Sequence, residues 1–502
     1  MKVCRPRRHV ILARVALASG FLVAPSLAET QTREAHAKRV LVMSLDGLHA
    51  VDLARYVKAK PNSALAELAR QGITYSNAWQ PVGDSSPGLL AIATGGSGVS
   101  TGIIYSPTYD RALAAAGSNC EKRGTLLTID NKLNKDLDAE DAGGGFDVSK
   151  LPRDPSNGCA PLYPHQLIRT NTIFELVKKS GGRTAWADQH IAYNDMLRGP
   201  SGTGLDESFA LNGSVARAKG TFEALVDQDG RRVEAVLNQI RGFDASGKAK
   251  ARVPTLFGVT MIAFSGMQKM KGHGYQDADA TPSPGLLAAL DSEDKNVGRI
   301  VAELKRQDLY DSTFVIVTAK HGQSPIDPKR VRLVNREVVR GAVKGIQKDL
   351  LAHFALDTVG LLWLTDRSRT PEVVAVLRLR EQEAGIQKIY AGHDLDLKLP
   401  DDSRRPDIII ETEPGVIYVE DGTQLIAEHG GSGEEDAHVA LLVVGAQGSA
   451  TSAGTTFRGR VSLTQVAPTA LEALGLDPKS LDAVRIEGTQ ALPPLQFAAK
   501  GK

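Results

Sequence analysis

The sequence has no clean apolar run of membrane length, no marked excess of either charge, and only three cysteines. Its one extended apolar stretch, Val10 to Ala24, is interrupted by Arg14 and is too short to cross a bilayer, so no membrane span is expected. Lys2, Arg5, Arg7 and Arg8 precede that stretch and Pro25-Ser26-Leu27-Ala28 closes it, which is the order of an export signal cut after Ala28. The expectation is an exported protein, periplasmic or secreted. Loss of residues 1–28 removes five basic residues and no acidic one, moving the formal charge from +2 to −3. Charge then gives no case for a nucleic-acid partner. Cys4 leaves with the signal, while Cys120 and Cys159 sit in polar loops, where an exported chain is expected to pair them. Aromatic residues are few and glycines number 49, but 42% of the chain is hydrophobic, enough to fill a core. That composition excludes disorder and suits a loop-bearing α/β enzyme. No repeat of roughly 20 to 50 residues is present.

What is present organises around Lys38-Arg39-Val40-Leu41-Val42-Met43-Ser44-Leu45-Asp46-Gly47. The run from Val40 to Leu45 reads as a strand buried on both faces, as inside a parallel sheet. It ends on a carboxylate, and ligands in open α/β sheets gather beyond the carboxyl ends of strands. Strand and helix signals then alternate. Helices are expected over 61–70, 87–93, 171–179, 294–307 and 465–474. Strands are expected over 183–186, 256–262, 314–318, 407–411 and 439–444. This alternation predicts a doubly wound, mostly parallel α/β sheet with helices on both faces. Two regions break the rhythm: 107–164, an elaborated loop, and the stretch after Asp327, which carries its own signals. We divide the chain into a signal at 1–28, a core over 36–325 and 406–490, and an inserted subdomain over 327–405.

The second chemical stretch is Gly83-Asp84-Ser85-Ser86-Pro87-Gly88. Pro87 is placed as the first residue of a helix, which puts Ser85 and Ser86 at a helix N-terminus. Free amides and the positive dipole end there suit a phosphate or a developing alkoxide. The acidic run 136–147 lacks the spacing of a calcium loop and reads as solvated. His165 and His190 have no partner at ligand spacing and read as structural. The loop 199–204 lacks the Lys-Ser/Thr ending of a phosphate loop.

In order along the chain come Asp46-Gly47, Ser85-Ser86-Pro87-Gly88, Thr94-Gly95, Thr101-Gly102-Ile103, Lys320-His321-Gly322 after an apolar strand, Glu428-His429-Gly430, and Val466-Ala467-Pro468-Thr469. Together they resemble the alkaline phosphatase superfamily, and most closely its type I phosphodiesterase/nucleotide pyrophosphatase branch, over residues 38 to 480. The resemblance implies an alkaline phosphatase-like fold and hydrolysis of a small-molecule phosphoester. It implies that Ser85 is the nucleophile, that Ser106 stands where the branch holds phosphate with Asn, and that Asp46, Ser85, His321 and His429 are metal ligands. The implied cofactor is a divalent metal, zinc by family habit.

The chain departs from the branch where the metals bind. Lys320 stands in place of an aspartate. Ala263 and Met267 stand where an aspartate and a histidine are expected, and neither can replace a hard or imidazole ligand. Three readings follow. One ion survives on Asp46, Ser85 and His321, with a new ligand from His273, Glu428, Asp436 or His438. Alternatively no ion binds and Lys320 supplies the positive charge at the nucleophile. Or the chain is a reduced relative that binds a phosphorylated ligand without hydrolysing it. Sulfate-ester hydrolysis is a further alternative, weakened because no Arg follows Pro87-Gly88 as that branch requires.

Overall fold

The computed structural model describes Met1 and residues 36–445 and 453–495. The segment expected to be an export signal, Met1 aside, lies outside the described residues. Arg39–Leu45 forms a strand in which every residue after Arg39 is buried, because its apolar side chains leave no face for water. It sits inside an eight-stranded sheet. The order runs Thr455–Phe457, Ile73–Tyr75, Leu441–Val444, Thr313–Thr318, Arg39–Leu45, Leu256–Met261, Thr184–Asp188, Glu207–Ala210. Leu441–Val444 runs antiparallel to both of its neighbours, and the other strand pairs are parallel. The sheet is thus the mostly parallel α/β arrangement expected, and its core takes in the apolar faces of the flanking helices.

Several helices are longer than their sequence signals. Pro284–Arg306 begins ten residues before the expected start, with the Ser283 side chain accepting from the Leu286 N–H and proline in the first turn. Phe222–Ile240 had no sequence signal at all, because Gln228, Asp229 and Arg232 fall on its buried face and spoil the apolar period. Those charges are matched: the Arg232 guanidinium donates to Asp229 at 2.6 Å. Asp229 in turn accepts from the N–H groups of Ile262 and Ala263, fixing the start of the helix Ala263–Lys269.

A second hydrophobic cluster runs from Val334 to Tyr418 around a four-stranded antiparallel sheet. That sheet takes in Ile408–Thr412, which lies beyond the boundary at 405 read from the sequence. The loop region 107–164 is tied by two short ribbons and by a disulfide between Cys120 and Cys159. Among the described residues no helix is long and apolar enough to cross a membrane.

Candidate active site

Register brings four strand ends to one edge of the sheet. Ser44 lies beside Thr318 and Leu45 beside Met261, so the residues that follow, Asp46, Lys320-His321 and Ile262-Ala263, meet there. Thr184–Asp188 ends at the same edge with Asp188, Gln189 and His190. The turn after Asp46 uses Gly47 at a φ of 79°. A side chain at Gly47 would also drive into Gln268, which donates to the Gly47 carbonyl at 3.0 Å.

The helix Ser85–Thr94 starts on Asp84 as its N-cap residue, so Ser85 is its first residue and Pro87 its third, rather than its first. Proline is harmless there because first-turn N–H groups have no intrahelical partner. Gly88 lets this helix press on the end of the strand Thr313–Thr318: a Cβ at Gly88 would lie 2.0 Å from the Lys320 carbonyl oxygen. Gln80 bridges the same junction, donating to the Ala319 carbonyl at 3.0 Å.

Below the site lies an ionic floor. The Lys320 ammonium is fully buried, 3.2 Å from Asp46 Oδ2 and 3.6 Å from Asp188 Oδ1, without the alignment of a hydrogen bond to either. It also lies 4.7 Å from the centre of the Tyr193 ring, in cation–π range. Asp188 is held by Trp186 Nε1 at 2.8 Å and Thr260 Oγ1 at 2.6 Å. Asp46 accepts from Ser44 at 3.1 Å and from Gln189 at 3.3 Å. Burial pushes the Asp46 carboxyl up to about 6, with Lys320 pulling it down and Asp188 pushing it up.

Above the floor is a cavity of 240 Å³. Ser85, Ser106, His321 and His429 line it, whereas Asp46 and Lys320 do not. Ser86 is fully buried and also absent from its wall. The rings of His321 and His429 stack with centroids 3.6 Å apart. Burial, together with nearby Lys269 and Lys320, holds both imidazoles well below their usual range, so both are neutral. His321 Nδ1 lies 2.8 Å from the Gly322 carbonyl, which assigns it the proton and leaves Nε2 as the free acceptor. The Ser106 N–H donates to Asp84 at 2.8 Å. Burial pushes the Asp84 carboxyl up to about 7, the Ser106 and Ser85 N–H groups pull it down, and Asp357 and Glu428 push it up.

The cavity also takes residues that the sequence reading passed over, Asp84, Tyr193, Arg217, Lys269 and Asp357, beside Glu428, which it named as a possible ligand. Tyr193 lines the cavity together with Ser85. His190, read as structural, lines the cavity with its Nδ1 unpartnered, while His165 is the structural one, bonded to Asp195 at 2.8 Å. Position was the available signal for His190, which stands two residues past a strand end.

The metal set that the resemblance implies does not assemble. Asp46 is engaged by the Lys320 ammonium, which would repel a dication held by the same carboxylate. Ala263 and Met267 are buried and apolar. Of the four candidate replacement ligands only Glu428 reaches the cavity, and it pairs with Lys269. His438 stacks on Trp79, and Asp436 accepts from Thr358 and from the Gly431 N–H. His273 lies against Gly285, at the start of the helix Pro284–Arg306. Among the described residues, no three His, Cys, Asp or Glu stand together as an ion would need. The residues present therefore fit neither a two-ion centre nor its one-ion remnant.

A larger cavity of 490 Å³, mostly apolar, lies against the smaller sheet, lined by Val359, Leu361, Ile409 and Tyr390 among others. It backs onto the first, since Tyr105 faces it beside Ser106, and Thr358 faces it beside Asp357. The chemistry-bearing groups stand at the smaller one.

A family profile described as Type I phosphodiesterase / nucleotide pyrophosphatase matches residues 40–433. No curated protein matches the chain significantly in sequence. Among solved structures, murine ectonucleotide pyrophosphatase / phosphodiesterase 5 superposes with a TM-score of 0.58 at 15% identity, covering 88% of this chain and 96% of its own. An inactive variant of that murine protein in complex with AMP gives the same score and coverage at 14% identity. The human protein of the same name gives 0.56 at 15% identity, covering 87% of this chain and 95% of its own. At such identity the likeness is one of fold.

Proposed function

The chain belongs to the type I phosphodiesterase / nucleotide pyrophosphatase family, and from that premise we propose that it hydrolyses small-molecule phosphate esters with Ser85 as nucleophile. The observation that carries the reading is the placement of Ser85. It opens a buried helix, it faces the cavity where Ser86 does not, and it has two neutral imidazoles on the same wall.

The Ser85 oxygen attacks phosphorus while His321 Nε2 takes its proton. As the serine–phosphorus bond forms, the ester oxygen departs and receives a proton from Asp84. Water, giving its proton to the Asp84 carboxylate, then attacks the phosphoserine; the bond from phosphorus to the Ser85 oxygen breaks, Ser85 recovers its proton from His321, and the phosphate product leaves. Two environments set these roles in opposite senses: burial keeps a histidine unprotonated and an aspartic acid protonated near neutral pH. The N-terminal amides of the helix face the developing charge. Lys320, beneath the cavity, acts as a positioning residue. It holds Asp46 and Asp188 together and supports Tyr193, which lines the cavity with Ser85. The family is one of metal-dependent hydrolases, ordinarily zinc enzymes, but no step here is assigned to an ion because the donors do not fit one. Export is part of the same proposal, supported by the charged and apolar start of the chain and by the Cys120–Cys159 disulfide.

Ser85→Ala should abolish turnover of an aryl phosphoester with the fold intact, and Ser86→Ala should leave most of it. Full activity in Ser85→Ala would refute the nucleophile. Failure of the wild type on every phosphoester and sulfate ester would favour the binding-only relative.

A further inference from the structure

Two cavity residues have no role in the chemistry above, and their charge is the one the missing ions would have brought. Arg217 bonds only neutral partners: its guanidinium donates to Gln189 at 2.7 Å and Ser214 at 3.3 Å, and among the described residues it forms no ion pair. A guanidinium has five N–H donors in a planar fork, so several remain for a ligand. Lys269 ends the helix Ala263–Lys269, the segment in which Ala263 and Met267 stand at the expected ligand positions, and it lines the same cavity. Its ammonium pairs with Glu428, which occupies one of three donors. Both cations line the cavity that the stacked imidazoles of His321 and His429 also line, so they converge on one place from separate helices.

We infer that Arg217 and Lys269 form a side-chain clamp for the phosphoryl oxygens, taking the charge-neutralising role that divalent ions fill elsewhere in the family. This rests on the reading of the cavity as a phosphoester site. A doubly or singly charged phosphoryl group needs cationic donors that stay in place as charge shifts between its oxygens. Once Asp46 is tied to Lys320, Arg217 and Lys269 are the cations left facing the cavity.

The test is calorimetric binding of inorganic phosphate to the purified full chain after exhaustive chelation. The wild type should bind. Arg217→Met and Lys269→Met should each weaken binding about tenfold or more, the scale of a lost charge-assisted hydrogen bond. Lys219→Met, the same charge change on the same helix but outside the cavity, should leave affinity unchanged. Arg217→Gln guards against misfolding and should reproduce the Arg217→Met loss. Binding that appears only after zinc is added back would overturn the clamp, as would phosphate affinity indifferent to both substitutions. If no ester is ever turned over yet this pattern holds, the clamp stands and the hydrolase reading alone falls.

Discussion

Replacing Lys320 with methionine isolates the ionic floor, since methionine keeps the length of the side chain and removes the charge. Two buried carboxylates, at 3.2 and 3.6 Å, would then lose their shared cation. Removing one partner of a buried ion pair costs about 3–5 kcal/mol, because the remaining charge is left uncompensated. With an unfolding entropy of about 2.1 cal/mol/K per residue, a chain of 502 residues loses about 1 °C of Tm per kcal/mol, so the midpoint should fall by about 3–5 °C. The sign of the pH dependence is fixed. Asp46 already titrates near 6, above its unfolded value, so its ionisation costs stability as pH rises. Without Lys320 that value climbs further, and the deficit should be larger at about pH 8 than at about pH 5. The double variant Lys320→Met/Asp46→Asn, which deletes the stranded charge, should recover more than half of the loss. Scanning calorimetry at both pH values measures all of this. A deficit below about 1 kcal/mol, or one no larger at the alkaline pH, would refute the ionic-floor argument.

Other outcomes follow from named contacts. Asp84 titrates near 7, so kcat/KM should fall as pH rises through that value, and Asp84→Asn should remove this limb together with most of the activity. Because its folded value is raised, the same variant should gain most over wild type near about pH 8, and the gain should shrink through about pH 5 and vanish only below the unfolded carboxyl range, near about pH 3, as urea unfolding would show. Gly88→Ala should cost about 1–3 kcal/mol and depress kcat, since its Cβ would have to displace the Lys320 carbonyl. Reducing the Cys120–Cys159 bridge, 39 residues apart, should lower stability by about 4 kcal/mol on the chain-entropy account, read by thermal unfolding with and without reductant.

The central strands were legible because each is a continuous run of apolar and β-branched residues, buried on both faces with no polar position to confuse the period. The helix Phe222–Ile240 was not, because its buried Asp229 and Arg232 satisfy one another in space and look like surface charges in sequence. At the site, Ser85, His321 and His429 could be read from the order of short motifs, and the structure puts all three on one cavity wall. Tyr193, Arg217 and Lys269 could not. They come from helices whose polar residues resemble any solvated face, and their convergence depends on packing between segments far apart in the chain. Lys320 was legible as an oddity, but its partner Asp188 emerged only from strand register.

The contact at Gly88 separates shape from charge. The backbone at residue 320 is clamped by a helix that tolerates no side chain at Gly88, and Gln80 pins the neighbouring carbonyl. What the 320 side chain carries can therefore change while the distance from that strand end to Ser85 stays put. An acid can give way to a lysine there, and a ligand-bearing strand end become part of an ion-paired floor, without the nucleophile having to be re-aimed.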